Sequence, residues 1–294
     1  MVQERGTLFD PVLVTDLVSK VQGKSSLARL SGQTPIAFNG QKEFVFTMDS
    51  EIDVVAESGE KSHGGVSLAP RTIVPIKVEY GARVSDEFVY ATEEERIGIL
   101  RAFNDGFAKK LSRGLDLMAF HGVNPRTGEA SAVIGDNNFD AAVDQAVTAD
   151  LEDANGVIES AIAMVDGGDI TGMAIAPELR SALAGQTRTD GTPLFPELAW
   201  GNAPDTINGL AVDVNKTVSD MATNNERAYV GDFQGGFKWG YAKQIPLRVI
   251  EYGDPDNSGF DLQGYNQVYL RAEAYLGWGI LAPESFARVV ESGN

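Results

Sequence analysis

The sequence predicts an α+β protein on three observations: a long β-ribbon early in the chain, one long amphipathic helix behind it, and alternating strands that close it. The ribbon is the most informative. Phe44, Phe46, Met48, Ile52 and Val54 recur at spacing two on the way out, and Val74, Ile76, Val78 and Tyr80 recur the same way coming back. Between them Glu57 to Gly65 has no core-forming residue and reads as a solvated turn. Arms of about twelve residues reach roughly 40 Å, whereas a compact domain of this length has a radius of gyration of roughly 19 Å. Because an isolated two-stranded ribbon is marginal in water, this one is expected to lie on a neighbouring subunit.

Before the ribbon, residues 1–38 mix a short amphipathic segment (Val12, Leu13, Leu17, Val18, Val21) with polar, Gly- and Ser-containing chain, an arm with no core of its own. After it, Thr92 with Glu95 three residues on forms a capping box for a helix over residues 92–121. Ile97, Leu100, Phe103, Phe107, Leu111, Leu115 and Met118 step along one face, and Gly122 ends the helix. Some thirty helical residues make a rod of roughly 45 Å. Gly98, Gly106 and Gly114 inside it are each unfavourable by about 1 kcal/mol relative to alanine, and close packing against a neighbouring backbone is the favoured reason for them. Residues 124–148 read as loop, Leu151 to Val165 as a second amphipathic helix, Gly172 to Ala176 as a strand, and Glu178 to Ala184 as a small helix. Gly185 to Asn208 is too long for a mere connector, and such loops are usually functional or mobile. Strands follow at Leu210 to Val214, Ala228 to Phe233, Gly236 to Tyr241 and Pro246 to Tyr252, then the alternating run from Val268 to Leu276.

Composition bounds the function. The 294 residues carry a formal charge of −18, which argues against sequence-reading or tight nucleic-acid binding because phosphates need lysine and arginine. The charge suits a surface that lies near packed nucleic acid without adhering to it, although most acidic proteins are simply soluble ones. There is no cysteine, so disulfides and thiolate metal sites are excluded. The start MVQERGTLFDP has no basic-then-apolar signal, no run of about eighteen apolar residues exists, and the chain reads as soluble and unsecreted.

Enzyme motifs fail on inspection. Gly23-Lys24-Ser25 imitates the end of a P-loop, but Val18 stands where its first glycine belongs. Gly277-x-Gly279-x-x-Ala282 matches a dinucleotide pattern too near the C-terminus for a βαβ unit, so these are strand-end glycines. Asp254-x-Asp256-x-Ser258-Gly259 opens like a calcium loop, yet Tyr265 replaces the bidentate glutamate at position twelve, and a plain turn is the better reading. His63 and His121 are the only histidines, and neither has a triad or zinc context. Among 42 acidic residues nothing singles out a catalytic pair. No catalytic residue, cofactor or metal is expected.

Four stretches taken in order resemble the major capsid proteins of tailed bacteriophages, the Hong-Kong-type capsid fold. AESGEKSHGGVSLAPRTIVPIKVEYGARVSDEFV (56–89) resembles that family's extended loop and return strand, with its V-S-[DE]-E turn. TEEERIGILRAFNDGFAKKLSRGLDLMAFHG (92–122) resembles its spine helix entering an HG loop. AYVGDFQGGFKWGYAKQIPLRV (228–249) resembles its G-D-F strand pair, and NQVYLRAEAYLGWGILAPESFARV (266–289) its closing strand and P-x-x-F-A ending.

The resemblance implies an arm (1–38), an extended loop (39–83), a peripheral domain (84–145, with spine helix 92–121, and 242–294) and an axial domain (146–241). It implies a structural head protein forming hexamers and pentamers of an icosahedral shell around double-stranded DNA, with the Gly185 to Asn208 loop at the capsomer centre. The implied partners are copies of itself, a separate scaffolding protein (since Met1 leads almost directly into the arm), a portal and, where present, decoration proteins. DNA would be touched by proximity only, and no membrane is involved. The implied location is the virion, after assembly in the host bacterial cytoplasm. Glu57, Glu60, Lys61, Arg71 and Arg83 become candidates for contacts between subunits, against the plainer reading of solvated charges worth little each. Some relatives cross-link a loop lysine to an asparagine next door. Lys61 is at the tip, but nothing identifies its asparagine. Two alternatives stay open: an encapsulin-type compartment on the same fold, enclosing cargo enzymes, and a monomeric acidic hydrolase or carbohydrate-binding protein.

Overall fold

The computed structural model describes residues 25–48, 52–59, 63–166, 168–219 and 225–291. The chain enters through helix α1 (Ser26–Leu30) and runs out and back along a ribbon of β1 (Gln41–Met48) and β2 (Val66–Ile73). It continues as β3 (Ile76–Ser85), turns through α2 (Glu87–Tyr90) and enters the long helix α3 (Glu93–His121). Then come α4 (Phe139–Ala142), β4 (Ala146–Thr148), α5 (Ala154–Met164), β5 (Gly172–Ile175) and α6 (Pro177–Gly185). Six further strands close the chain: β6 (Thr206–Ile207) and β7 (Leu210–Val214) precede β8 (Glu226–Gly231), and β9 (Phe237–Ile250) and β10 (Gln267–Ile280) lead into β11 (Phe286–Val290). The mixture is α+β, as expected.

Helix α3 begins where its capping residues place it. The Glu95 amide donates to Thr92 Oγ1 at 3.4 Å, and the Thr92 amide donates to the Glu95 carboxylate at 3.0 Å. Gly122 closes it in the left-handed region at φ 67°, its amide donating to the Met118 carbonyl. Leu100, Phe107, Leu111, Leu115 and Met118 are buried, but Ile97 is exposed, because the first turns run past the body. Among the described residues, no backbone of the chain packs against any of the three internal glycines. A Cβ at Gly98 or Gly106 would meet nothing within 4 Å, and at Gly114 it would meet the Pro125 ring at 3.5 Å rather than a backbone.

The ribbon also differs from expectation. β1 pairs antiparallel with β2 from Gln41↔Ile73 to Met48↔Val66, so each arm has 8 residues and spans roughly 26 Å. The expected return arm, Val74 to Tyr80, instead runs into β3, which pairs with β10 from Ile76↔Leu276 to Ser85↔Gln267. A period of two identifies a strand and not its partner. Pro75, which has no amide to donate, sits where the chain changes sheets.

β10 is the centre of the three-stranded sheet β3-β10-β9. Its two expected faces exist, but neither is open to water: Val268, Leu270, Ala272, Ala274 and Leu276 enter the main core, while Tyr269 and Glu273 on the other side are buried too. Tyr269 lies over Gly81 and Glu273 is held by Lys77 and Arg271, while the segment after α1 covers the Tyr275–Gly277 end of this face. The Thr34 amide donates to the Trp239 carbonyl at 2.8 Å, and the Phe38 ring sits edge-on to Tyr275 at 4.9 Å. Gly277 and Gly279 leave room there for Ile73 and Ile36, which confirms their reading as strand glycines. The two strands expected at 236–241 and 246–252 are one, β9, whose register slips opposite Arg271/Glu273, where Pro246 lies.

The six-stranded sheet runs β4-β11-β8-β5-β7-β6. Alternation divides its side chains between two cores. Met173, Ile175, Ala228, Val230, Ala287 and Val289 pack with α5 and α6, while Ala174, Tyr229 and Phe286 face the core around the end of α3.

The two halves meet at a buried polar joint. Asp116 on α3 is fully enclosed and accepts from the Ser25 hydroxyl, the Ser26 amide (3.0 Å), the Leu27 amide (3.3 Å), the Asn215 amide group (3.2 Å) and the Thr217 hydroxyl (2.8 Å). Ser26 also donates to Asp213 on β7 at 2.6 Å, and Arg29 pairs with Asp213 at 2.7 Å. The arm reading of residues 1–38 is thus corrected where the chain is described: residues 25–38 are part of the body, with Leu27, Leu30 and Ile36 in its core. Residues 1–24 lie outside the described residues. Five residues along α3, His121 holds Asp140 (2.9 Å) through Nδ1 and the Thr217 carbonyl (2.8 Å) through Nε2, with Tyr229, Glu226 and Arg288 around it.

Burial pushes the Asp116 carboxyl up to about 6, against the lowering effect of its donors. At His121 burial disfavours the charged ring, but Asp140 and the Thr217 carbonyl prevail and its pKa is raised above 6.5. Both groups bind their protons more tightly in the fold than in the unfolded chain. Their stabilisation is therefore present at low pH and lost as pH rises, through about 6 for Asp116 and above 6.5 for His121. Urea unfolding over a pH series is expected to show Asp116→Asn flattening the lower part of this loss and His121→Gln the upper part. Profiles that keep their slope in both variants would contradict the assignment. Asp116→Ala, which strands buried donors, is expected to lower unfolding free energy by about 3 kcal/mol.

Candidate assembly surface

The ribbon is built to project. No third strand lies beside β1 or β2 among the described residues. At its base Glu43 pairs with Lys238 on β9 at 3.1 Å, and Ile73 is 1% exposed over the β10 glycines. Beyond that seat the burial stops. Directly paired residues share a face of a ribbon, and Phe44, Val66 and Leu68 on one such face are all more than half exposed. Further out, Ile52 and Val54 are 93% and 94% exposed. Scattered apolar residues at a surface are ordinary. A row of them along one projecting element is exposed apolar surface of the kind that characterises interaction sites.

The charged residues singled out from the sequence fall in different places. Glu57 is exposed in the tip turn, where the Gly59 amide donates to the Ala56 carbonyl at 2.8 Å. Arg71 is exposed on β2, opposite Glu43. Glu60 and Lys61 lie outside the described residues. Arg83 sits on β3 and is engaged within its own chain, with Asp254 at 2.7 Å and Asp256 at 2.5 Å.

Two apolar features were not found by sequence reasoning. Tyr90, just before α3, is 84% exposed. Trp200 has the accessibility of a free side chain, 105%, in a left-handed conformation at φ 57°. Its loop is braced: the Arg180 Nε donates to the Asn202 carbonyl (3.2 Å), and the Asn202 side chain donates to the Glu197 carbonyl (2.8 Å). The Gly185 to Asn208 stretch as a whole is folded, with Phe195, Leu198 and Ile207 buried. A tryptophan in a Pro/Gly-rich stretch (PELAWGNAP) was the available signal, but periodicity has nothing to say about a single residue in a loop.

The enzyme-like motifs resolve into structure. Ser25 of the Gly-Lys-Ser run caps α1 and is buried against Asp116. His121 is an interior residue and His63 is exposed on the ribbon. Among the described residues no group of three or more His, Asp or Glu is placed to hold a metal ion, and no helix is long and apolar enough to cross a membrane.

Residues 6–290 match the model of the phage capsid family. The chain belongs to that family. Among solved structures, this capsid protein is 35% identical to a chain of Mycobacterium phage Ogopogo, covering 92% of both at a TM-score of 0.78. It is 25% identical to a chain of Gordonia phage Cozz, covering 92% of this chain and 87% of that one at 0.76. A chain of the capsid of a native GTA particle has the same fold at 14% identity, with 91% and 90% covered and a TM-score of 0.64. Comparison with curated proteins found no match. The chain is a structural, self-assembling shell protein.

Because Ile52 and Val54 contribute almost nothing to their own subunit's core, Ile52→Ser with Val54→Ser is expected to leave the capsid protein's unfolding free energy within about 0.5 kcal/mol. Its higher-order assembly, followed by light scattering, is expected to weaken. A large loss of monomer stability would show that these side chains pack within their own chain.

Proposed function

We propose that this capsid subunit forms hexamers and pentamers that close an icosahedral shell around double-stranded DNA, with each ribbon laid across a neighbouring subunit. The observation that carries the reading is the ribbon's exposed apolar row beyond a firmly seated base. In the family's terms, α3 is the spine helix and the three-stranded sheet belongs to the peripheral domain. The six-stranded sheet with α5 and α6 is the axial domain, and Trp200 stands at the capsomer centre. Glu57, Glu60, Lys61 and Arg71 pair with charges on neighbours, whereas Arg83 serves the contact from behind through its own chain. A scaffolding protein, a portal and, where present, decoration proteins are the further partners, and the host bacterial cytoplasm is where assembly takes place. The charge of −18 keeps DNA contact non-specific, so packaged DNA is held by the closed wall rather than by adhesion.

Electron microscopy and sedimentation of the purified chain test this directly. Closed particles in the megadalton range are expected, against 31.5 kDa for a lone subunit. Nucleic acid inside supports a genome shell, and co-purifying enzymes in its place would make it a cargo compartment. Deleting Ser58 to Gly64 is expected to give a folded, soluble subunit that forms no closed shells. Normal shells from that deletion would contradict the role given to the ribbon.

A further inference from the structure

The loop between β9 and β10 has a chemistry that shell-building does not account for. Asp254, Asp256 and Ser258 occupy positions one, three and five of a calcium-type loop, Gly259 the sharp turn at six and Phe260 the carbonyl at seven. Gly259 takes the left-handed backbone that position requires, φ +84°. The oxygens those positions would offer a metal all converge on one atom. Arg83 Nη2 lies 2.7 Å from Asp254 Oδ1, 2.5 Å from Asp256 Oδ1, 2.5 Å from Ser258 Oγ and 2.9 Å from the Phe260 carbonyl. Arg83 Nε adds a second bond to Asp256, at 2.9 Å to Oδ2, and Nη1 reaches Gln267 at 3.3 Å.

We infer that Arg83 is this loop's built-in cation, filling a calcium-type ring of oxygens so that the loop is closed without metal. The guanidinium is always charged, and the two N–H groups of Nη2 are shared among the four oxygens while Nε–H holds Asp256 as well, so the group acts on the ring as a positive centre as much as a hydrogen-bond donor. Tyr265 stands where a bidentate glutamate would complete a true calcium site. The ring alone is therefore a weak metal site, and a tethered arginine at high effective concentration outcompetes free calcium for it. The Asp256 carboxyl is held well below the usual carboxylate range by its Arg83 bonds. The consequence is mechanical: Arg83 ties the far end of β3 to the β9–β10 connection, fixing the exposed edge-to-face pair of Phe260 and Tyr265, whose centroids are 4.9 Å apart.

The test is thermal unfolding of the full chain with a chelator, with millimolar calcium and with equal magnesium. It compares the unmodified protein, Arg83→Ala and Arg83→Ala/Asp256→Asn. The unmodified protein is expected to melt at one temperature in all three conditions. Arg83→Ala is expected to melt lower with chelator and to regain roughly 3 °C with calcium, the shift of a ligand present at several times its Kd. The double variant is expected to show no response. If Arg83→Ala is recovered only as insoluble chain, refolding yield is read instead, and a yield raised by calcium supports the inference. It is overturned if calcium stabilises the unmodified protein as much as the variant. It is equally overturned if the variant's melting or refolding ignores calcium, or responds the same to magnesium.

Discussion

One carboxylate, Asp116 on α3, gathers donors from the start of the short helix α1 and from the turn after β7. These elements belong to different halves of the chain and share no strand pairing. A buried carboxylate with good partners is directional in a way that apolar packing is not. It sets where α3 ends relative to the six-stranded sheet, and it seats residues 25–38 across the back of the other sheet. That seating covers the end of the β10 face from which the ribbon springs. The angle at which the ribbon leaves the body therefore traces back, through Ile36, Ile73 and the β10 glycines, to the same joint.

The parts of this fold that were legible in the sequence are those whose signal is local. The capping box and glycine stop of α3, the alternation of β10, and the strand glycines at 277 and 279 each follow from residues within a turn or two of one another. The failures have the opposite character. Ile76 to Tyr80 reads correctly as strand, but its partner is β10 and not the outgoing arm, since pairing depends on residues two hundred positions away. The serines at 25 and 26 look like linker because hydropathy does not register that hydroxyls are buried when aspartates await them. Gly98 and Gly106 read as places of close packing against a neighbouring backbone, and no backbone among the described residues of the chain comes near them.

The assembly surface was legible in kind and only partly in detail. A projecting ribbon with an apolar row follows from spacing alone, whereas its charged contacts do not. Arg83 shows why: an arginine on a strand near an extended loop looks available until the acidic connection that folds over it is seen. Arg29, Lys77, Arg227, Lys238, Arg271 and Arg288 likewise hold carboxylates of their own chain, so a positive charge seen in the sequence is no guide by itself to a contact with a neighbour.

Trp200 is set apart from the other two tryptophans, Trp239 and Trp278, which are sealed in the core at 0% and 1% exposure. Its indole stands wholly in solvent on a braced loop. The subunit thus carries its own optical probe: two indoles report an unchanging interior, and the third reports whatever comes to rest against that loop. Emission colour and quencher access can follow the growth of a particle in real time without any attached dye.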